Sequence, residues 1–296
     1  MGLLEYQLLS PEEEIEETFP YRRVWRALAL EMGLLLLIVG VIYVLIQAGV
    51  LANQYTPTLS LVVAVLPIGL FYAVSVRREL QAIQPRSQLS VILLLSIIAA
   101  NGVAWPFIHL VITPDHWLPE AGFFSRIIGY TLTLGIVGEI TKYLVVRYTI
   151  WPQQIRMRLD GIAYSVPAAL GYALIMNVQY ILNEDPLLTS AIFRVVINVY
   201  LHIAAGAVMG YFLAELAINP NGPFYWFPMG LSLSAFLGSL YFVFRRVSIS
   251  SGLGSRPLGG ILLSIAFAIL ILGILSFIIE NAEERAAARQ GVRRIR

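Results

Sequence analysis

The stretch "TLTLGIVGEITKYLVVR", Thr131 to Arg147, is apolar apart from Glu139 and Lys142 near its middle. A charged side chain at the centre of a bilayer costs roughly 2.5–3.5 kcal/mol on insertion scales. These two stand three apart, so on a helix they share a face and partly neutralise each other. Gly135 and Gly138 precede them and leave room for another helix to approach closely. Such a segment belongs inside a membrane bundle.

The rest of the chain agrees. Its 296 residues are 58% hydrophobic and 13% charged, against roughly 25% charged in soluble domains. A mean hydropathy of +0.76, with repeated apolar runs of about 20 residues, predicts an all-α polytopic membrane bundle. Cys is absent, which excludes disulfides, thiolate metal sites and a cysteine nucleophile. The net charge of +2 is spread over loops and gives no footprint for nucleic acid. The acidic run Pro11–Glu17 precedes any apolar segment, so the first span is expected to stay as an anchor rather than be cleaved as a signal peptide.

Eight spans are expected, at about 27–49, 59–76, 89–112, 126–147, 159–182, 191–216, 228–244 and 258–279. An acidic segment, 1–26, precedes the bundle, and a basic tail, 280–296, reads as a helix continuing out of the last span. Arg22, Arg23, Arg26, Arg77, Arg78, Arg86, Arg147, Arg156, Arg158 and the tail arginines all fall on one side if the count is eight. The positive-inside rule makes that side, with both termini, cytoplasmic. Arg245, Arg246 and Arg256 disagree, so either the later spans yield to the earlier ones or one late segment is re-entrant.

Three neighbouring spans hold polar groups at depth. The fourth has Glu139 and Lys142. The fifth, Asp160 to Leu182, is dense in Gly, Ala and Ser, which predicts a tightly packed interior helix. It opens on Asp160, carries Pro167, and ends with Asn177 and Gln179. In the sixth, Arg194, Asn198, His202, Gly206 and Gly210 recur every four residues, polar at one end and small at the other. Packed against the fourth span, His202 would meet Glu139. Buried polar groups of this kind also serve simply as helix–helix contacts, and spacing alone leaves both readings open.

Taken in order, these segments resemble the PrsW family of intramembrane proteases, relatives of the CAAX prenyl endopeptidases, over about residues 130–215. The family's Glu-Glu-x-x-Lys motif stands here as "GEITK", Gly138 to Lys142. Its Asp-Gly helix start, leading through Gly-aromatic-Ala to Glu-Asn, stands as "DGIAYSVPAALGYALIMN", Asp160 to Asn177. Its His followed by glycines stands as "LHIAAGAVMGYFLAE", Leu201 to Glu215. Gly138 and Met176 replace two family glutamates. The resemblance implies hydrolysis of peptide bonds in membrane proteins of a bacterial plasma membrane. Glu139 would be the general base, His202 and Asn177 stabilising groups, and Lys142, Asp160 and Asn198 supporting residues.

Other classes have less support. A divalent metal would find two ligands, Glu139 and His202, where catalytic zinc takes three from the protein. His109 and His116, near the outer end of the third span, are expected to lie away from the motif face. Met176 is expected to pack. No phosphate loop, haem attachment or dinucleotide motif is present. No internal repeat supports a transporter. A non-catalytic relative that binds a membrane partner, or serves as a subunit of a complex, stays open beside the protease.

Overall fold

The computed structural model describes residues 20–54, 56–80, 86–118, 120–219, 221–250 and 258–289. The acidic run of the N-terminal segment, Arg256 and the end of the basic tail lie outside them. Eight long helices make up the described chain. They are α1 (Pro20–Gln47), α2 (Pro57–Leu80), α3 (Leu89–Ile112), α4 (123–150), α5 (Arg158–Glu184), α6 (Leu188–Ile218), α7 (Trp226–Ser250) and α8 (Leu258–Arg289).

Six of them, all except α4 and α7, are long and apolar enough to cross a membrane by length and composition. The other two also have the length. The 25 residues of α7 rise about 37 Å, against a hydrocarbon core of about 30 Å. α4 differs from its neighbours in composition, because it contains Glu139 and Lys142. The chain is an all-α polytopic membrane bundle. α7 runs unbroken through positions 245 and 246, where the charge pattern predicts a loop; their side chains lie outside the described residues.

α5 and α6 form the centre and are buried along most of their length, whereas α1, α2, α3 and α8 bury about a third of theirs. Small residues explain the central contact. Gly161, Ser165 and Ala169 on α5 face Ala214, Gly210 and Gly206 on α6, running in the opposite direction. A Cβ on Gly161 would collide with the Gly210 carbonyl, and one on Gly210 with that of Gly161. The backbones therefore touch, which is how helices gain van der Waals contact where lipid removes any hydrophobic driving force.

Side-chain hydrogen bonds fasten the outer helices to this pair. Ser96 on α3 donates to the Ala168 carbonyl at 2.6 Å, and Tyr200 on α6 donates to the Met32 carbonyl on α1 at 2.7 Å. Buried Glu31 accepts the Ser75 amide at 3.2 Å, where α2 widens into a π turn over Tyr72–Val76.

The arginine-bearing helix ends meet at one end of the bundle. Arg86 donates to Glu79 at 2.7 Å and to Asp160 at 2.8 Å, and Arg158 pairs with Glu215 at 2.5 Å. Burial disfavours the Arg86 charge, but Asp160 and Glu79 outweigh it and hold the guanidinium above its ordinary pKa.

Candidate active site

α4 reaches the bundle centre through a π turn, Thr131–Gly135, which re-aims the helix face that follows. A Cβ on Gly135 would stand 2.5 Å from the Ala235 carbonyl, so α7 lies directly on the α4 backbone there. Gly238 on α7 faces Glu139, and a Cβ on it would be 3.5 Å from Oε1. Tyr130 stacks on Phe242 with centroids 4.0 Å apart. α7 thus packs over the face of α4 that carries Glu139.

Glu139 is 1% exposed and Lys142 3%. The Lys142 ammonium donates to Glu139 Oε1 at 2.5 Å and stands 3.4 Å from His202 Nδ1. An ammonium has only donors, so a hydrogen bond here requires Nδ1 to accept, which assigns the imidazole proton to Nε2. Glu139 Oε2 is buried without a hydrogen-bond partner among the described residues.

One turn away on α6, Asn198 Nδ2 donates to Asn177 Oδ1 at 2.9 Å and lies 3.4 Å from the Ala173 carbonyl. Asn177 Nδ2 has no partner among the described residues.

Glu139, Asn198 and His202 border a cavity of about 140 Å³, several times the roughly 10–15 Å³ that one water needs on this measure. Glu139, Gly138, Tyr172, Asn198 and His202 line its inner part; His109, Pro114, Glu184 and Arg194 lie towards the helix ends. It therefore runs from mid-bundle to the end opposite the Arg86 and Arg158 ion pairs. The Arg194 guanidinium stacks on Tyr180 at 3.9 Å and lies 5.3 Å from the Tyr241 ring.

The sequence-derived candidates divide. Glu139, Lys142 and His202 come together, with the ammonium between the other two. Asn198 lines the cavity, while Asn177 stands behind it and holds its amide. Asp160 is elsewhere: its carboxylate accepts the Arg156 and Met157 amides at 2.9 and 3.0 Å and caps α5. That end of α5 is roughly 25 Å from Asn177 at 1.5 Å per residue. Met176 lines the cavity, and so does His109, contrary to expectation, although at its outer part and packed on Trp105 at 3.7 Å.

Tyr172 and Gly238 are not singled out by the sequence patterns. Tyr172 belongs to the Gly-aromatic-Ala stretch, which marks the helix but not the ring's direction. The small pair Gly238-Ser239 is the one sign that α7 touches α4.

A profile of the "PrsW family intramembrane metalloprotease" matches residues 84–274. The chain belongs to this family. A Protease PrsW of Clostridioides difficile (strain 630) is 33% identical over 103 residues, 34% of this chain and 43% of that protein. One of Halalkalibacterium halodurans is 26% identical over 133 residues, 44% of this chain and 61% of that one. One of Bacillus subtilis (strain 168) is 24% identical over 120 residues, 40% and 54% respectively. The chain thus spans about half the length of the curated relatives it matches. No solved structure matches it.

The family description implies a metal, and the residues here do not fit one. Among the described residues no three His, Cys, Asp or Glu side chains converge. Glu139 and His202 offer two ligands where catalytic zinc takes three. Between them stands the Lys142 ammonium, a cation that would repel a divalent ion from the same place.

Proposed function

We propose that this PrsW-family chain hydrolyses a peptide bond in membrane-embedded proteins, with Glu139 as general base. The observation that supports this most is the buried, unpartnered Glu139 Oε2 at a cavity large enough for water. In this reading a water in the cavity gives its proton to Oε2 while its oxygen attacks the peptide carbonyl carbon. Charge develops on the carbonyl oxygen, and the His202 Nε2–H donates to it. Collapse breaks the C–N bond, and the proton held by Glu139 passes to the leaving amine. Lys142 fixes the carboxylate and the His202 tautomer, and Asn177 fixes Asn198 at the wall.

The cavity's direction supports a substrate that enters from the end opposite the arginine-rich one, which the positive-inside rule makes the outer face of a bacterial membrane. Both termini are then cytoplasmic. The relatives named Protease PrsW support the same activity class.

The test compares new protein N-termini in membranes of the native host carrying wild type or His202→Ala, together with co-purifying proteins. Termini that vanish in the variant while uncut protein accumulates are expected. Unchanged termini, with one stoichiometric partner retained by both forms, would sink the protease reading and leave a binding scaffold.

A further inference from the structure

We propose that the Tyr172 hydroxyl is a second hydrogen-bond donor to the developing oxyanion, beside His202, and that Gly138 makes room for it. This rests on the protease reading above.

Tyr172 is 3% exposed and reaches from α5 across to α4. A Cβ built on Gly138 would stand 2.9 Å from the phenol oxygen and 3.1 Å from Cζ. The hydroxyl therefore occupies the space a side chain at 138 would take. The Tyr172 ring meets the His202 ring edge-on, with centroids 5.1 Å apart, and the Lys142 ammonium lies 5.5 Å from its centroid. Tyr172, Glu139 and His202 line the same inner end of the cavity.

Packing alone would be served by phenylalanine. A buried tyrosine usually finds a hydrogen-bond partner for its O–H, yet among the described residues this hydroxyl has none. It lines a cavity instead, next to the carboxylate assigned as base. Catalytic donors have this character: fixed in advance, neutral, and left unpaired until charge appears. Phenol and imidazole N–H would then converge on one oxygen from α5 and α6, with Glu139 approaching from α4. Tyr172 gives up no proton; it holds its O–H throughout and stabilises the charge by donating.

The glycine follows from the same geometry. With its backbone fixed by α7 at Gly135, α4 cannot retreat to admit a methyl group at 138 without displacing the phenol. The family carboxylate missing at this position and the tyrosine hydroxyl thus compete for one space.

The experiment measures the initial rate at which His202-dependent N-termini appear after induction of the full chain in its host. It uses wild type, Tyr172→Phe, Gly138→Ala and the double variant at matched membrane levels, with each purified form checked by its thermal midpoint. Tyr172→Phe is expected to slow cleavage by about 10²-fold, as losing one oxyanion donor does, at an unchanged midpoint. Gly138→Ala should reproduce the loss, and the double variant should be no slower than Tyr172→Phe alone. Tyr172→Phe cutting at close to the wild-type rate overturns the proposal. So does a double variant slowed by the product of the two single effects, since the alanine would then act elsewhere. Absence of His202-dependent termini in the wild type removes the protease reading itself, and this proposal with it.

Discussion

The Lys142 ammonium lies between two side chains that line the cavity, 2.5 Å from Glu139 Oε1 and 3.4 Å from His202 Nδ1. All three come from helix interiors, two from α4 and one from α6. Breaking a buried ion pair by removing one partner costs about 3–5 kcal/mol, because the other charge is stranded. Lys142→Met is therefore expected to lower the unfolding free energy by that order in detergent. Adding Glu139→Gln should recover most of the loss while leaving the protein without activity. Strict additivity of the two substitutions in thermal unfolding would show that the pair is not coupled.

Because a cation stands between Glu139 and His202, added divalent metal has no vacant set of ligands to fill. Purified protein is expected to hold well under one zinc per chain by elemental analysis. Its thermal midpoint should be the same with and without EDTA. A stoichiometric metal lost to the chelator, with a falling midpoint, would mean that Lys142 leaves this position.

The α5–α6 contact predicts a graded response to added methyl groups. Gly210→Ala places a Cβ against the Gly161 carbonyl, so the helices must separate; overpacking of this kind costs about 1–3 kcal/mol. Gly206→Ala meets the Ala169 side chain at 3.1 Å, a contact a small shift relieves, and is expected to cost under about 1 kcal/mol. Equal melting temperatures for the two variants would contradict the backbone contact.

Asp160 acts at the far end of α5. Asp160→Asn removes the charge facing Arg86 and weakens the cap over the Arg156 and Met157 amides, for an expected loss of about 2–4 kcal/mol. Cleavage per folded molecule should stay near wild type. A variant that keeps its stability and loses its activity would place Asp160 in the catalytic apparatus.

Much of the bundle is legible in the amino-acid sequence. Runs of about 20 apolar residues predict the spans, and α1 to α6 begin and end within several residues of them. The density of Gly, Ala and Ser between Asp160 and Ala173 marks α5 as interior. The four-residue spacing of Asn198, His202, Gly206 and Gly210 places them on one face of α6. At α7 the charge pattern and the structure differ: Arg245 and Arg246 resemble a loop in composition, but the backbone hydrogen bonding of the helix continues through both positions.

The sequence by itself determined the membrane class, the helices and their small-residue contact faces, and it put forward Glu139, Lys142 and His202 as candidates. Those are properties of one helix at a time, set by the 3.6-residue period and by the cost of charge in lipid. Only the tertiary structure decided that Lys142 stands between Glu139 and His202, that Asn198 rather than Asn177 meets the cavity, and that Asp160 caps a distant helix end. It also turned Tyr172 onto Gly138 and brought α7 against Glu139. These depend on the rotation and depth of each helix relative to its neighbours. Packing of many side chains at once sets both, and no spacing within a single span encodes them.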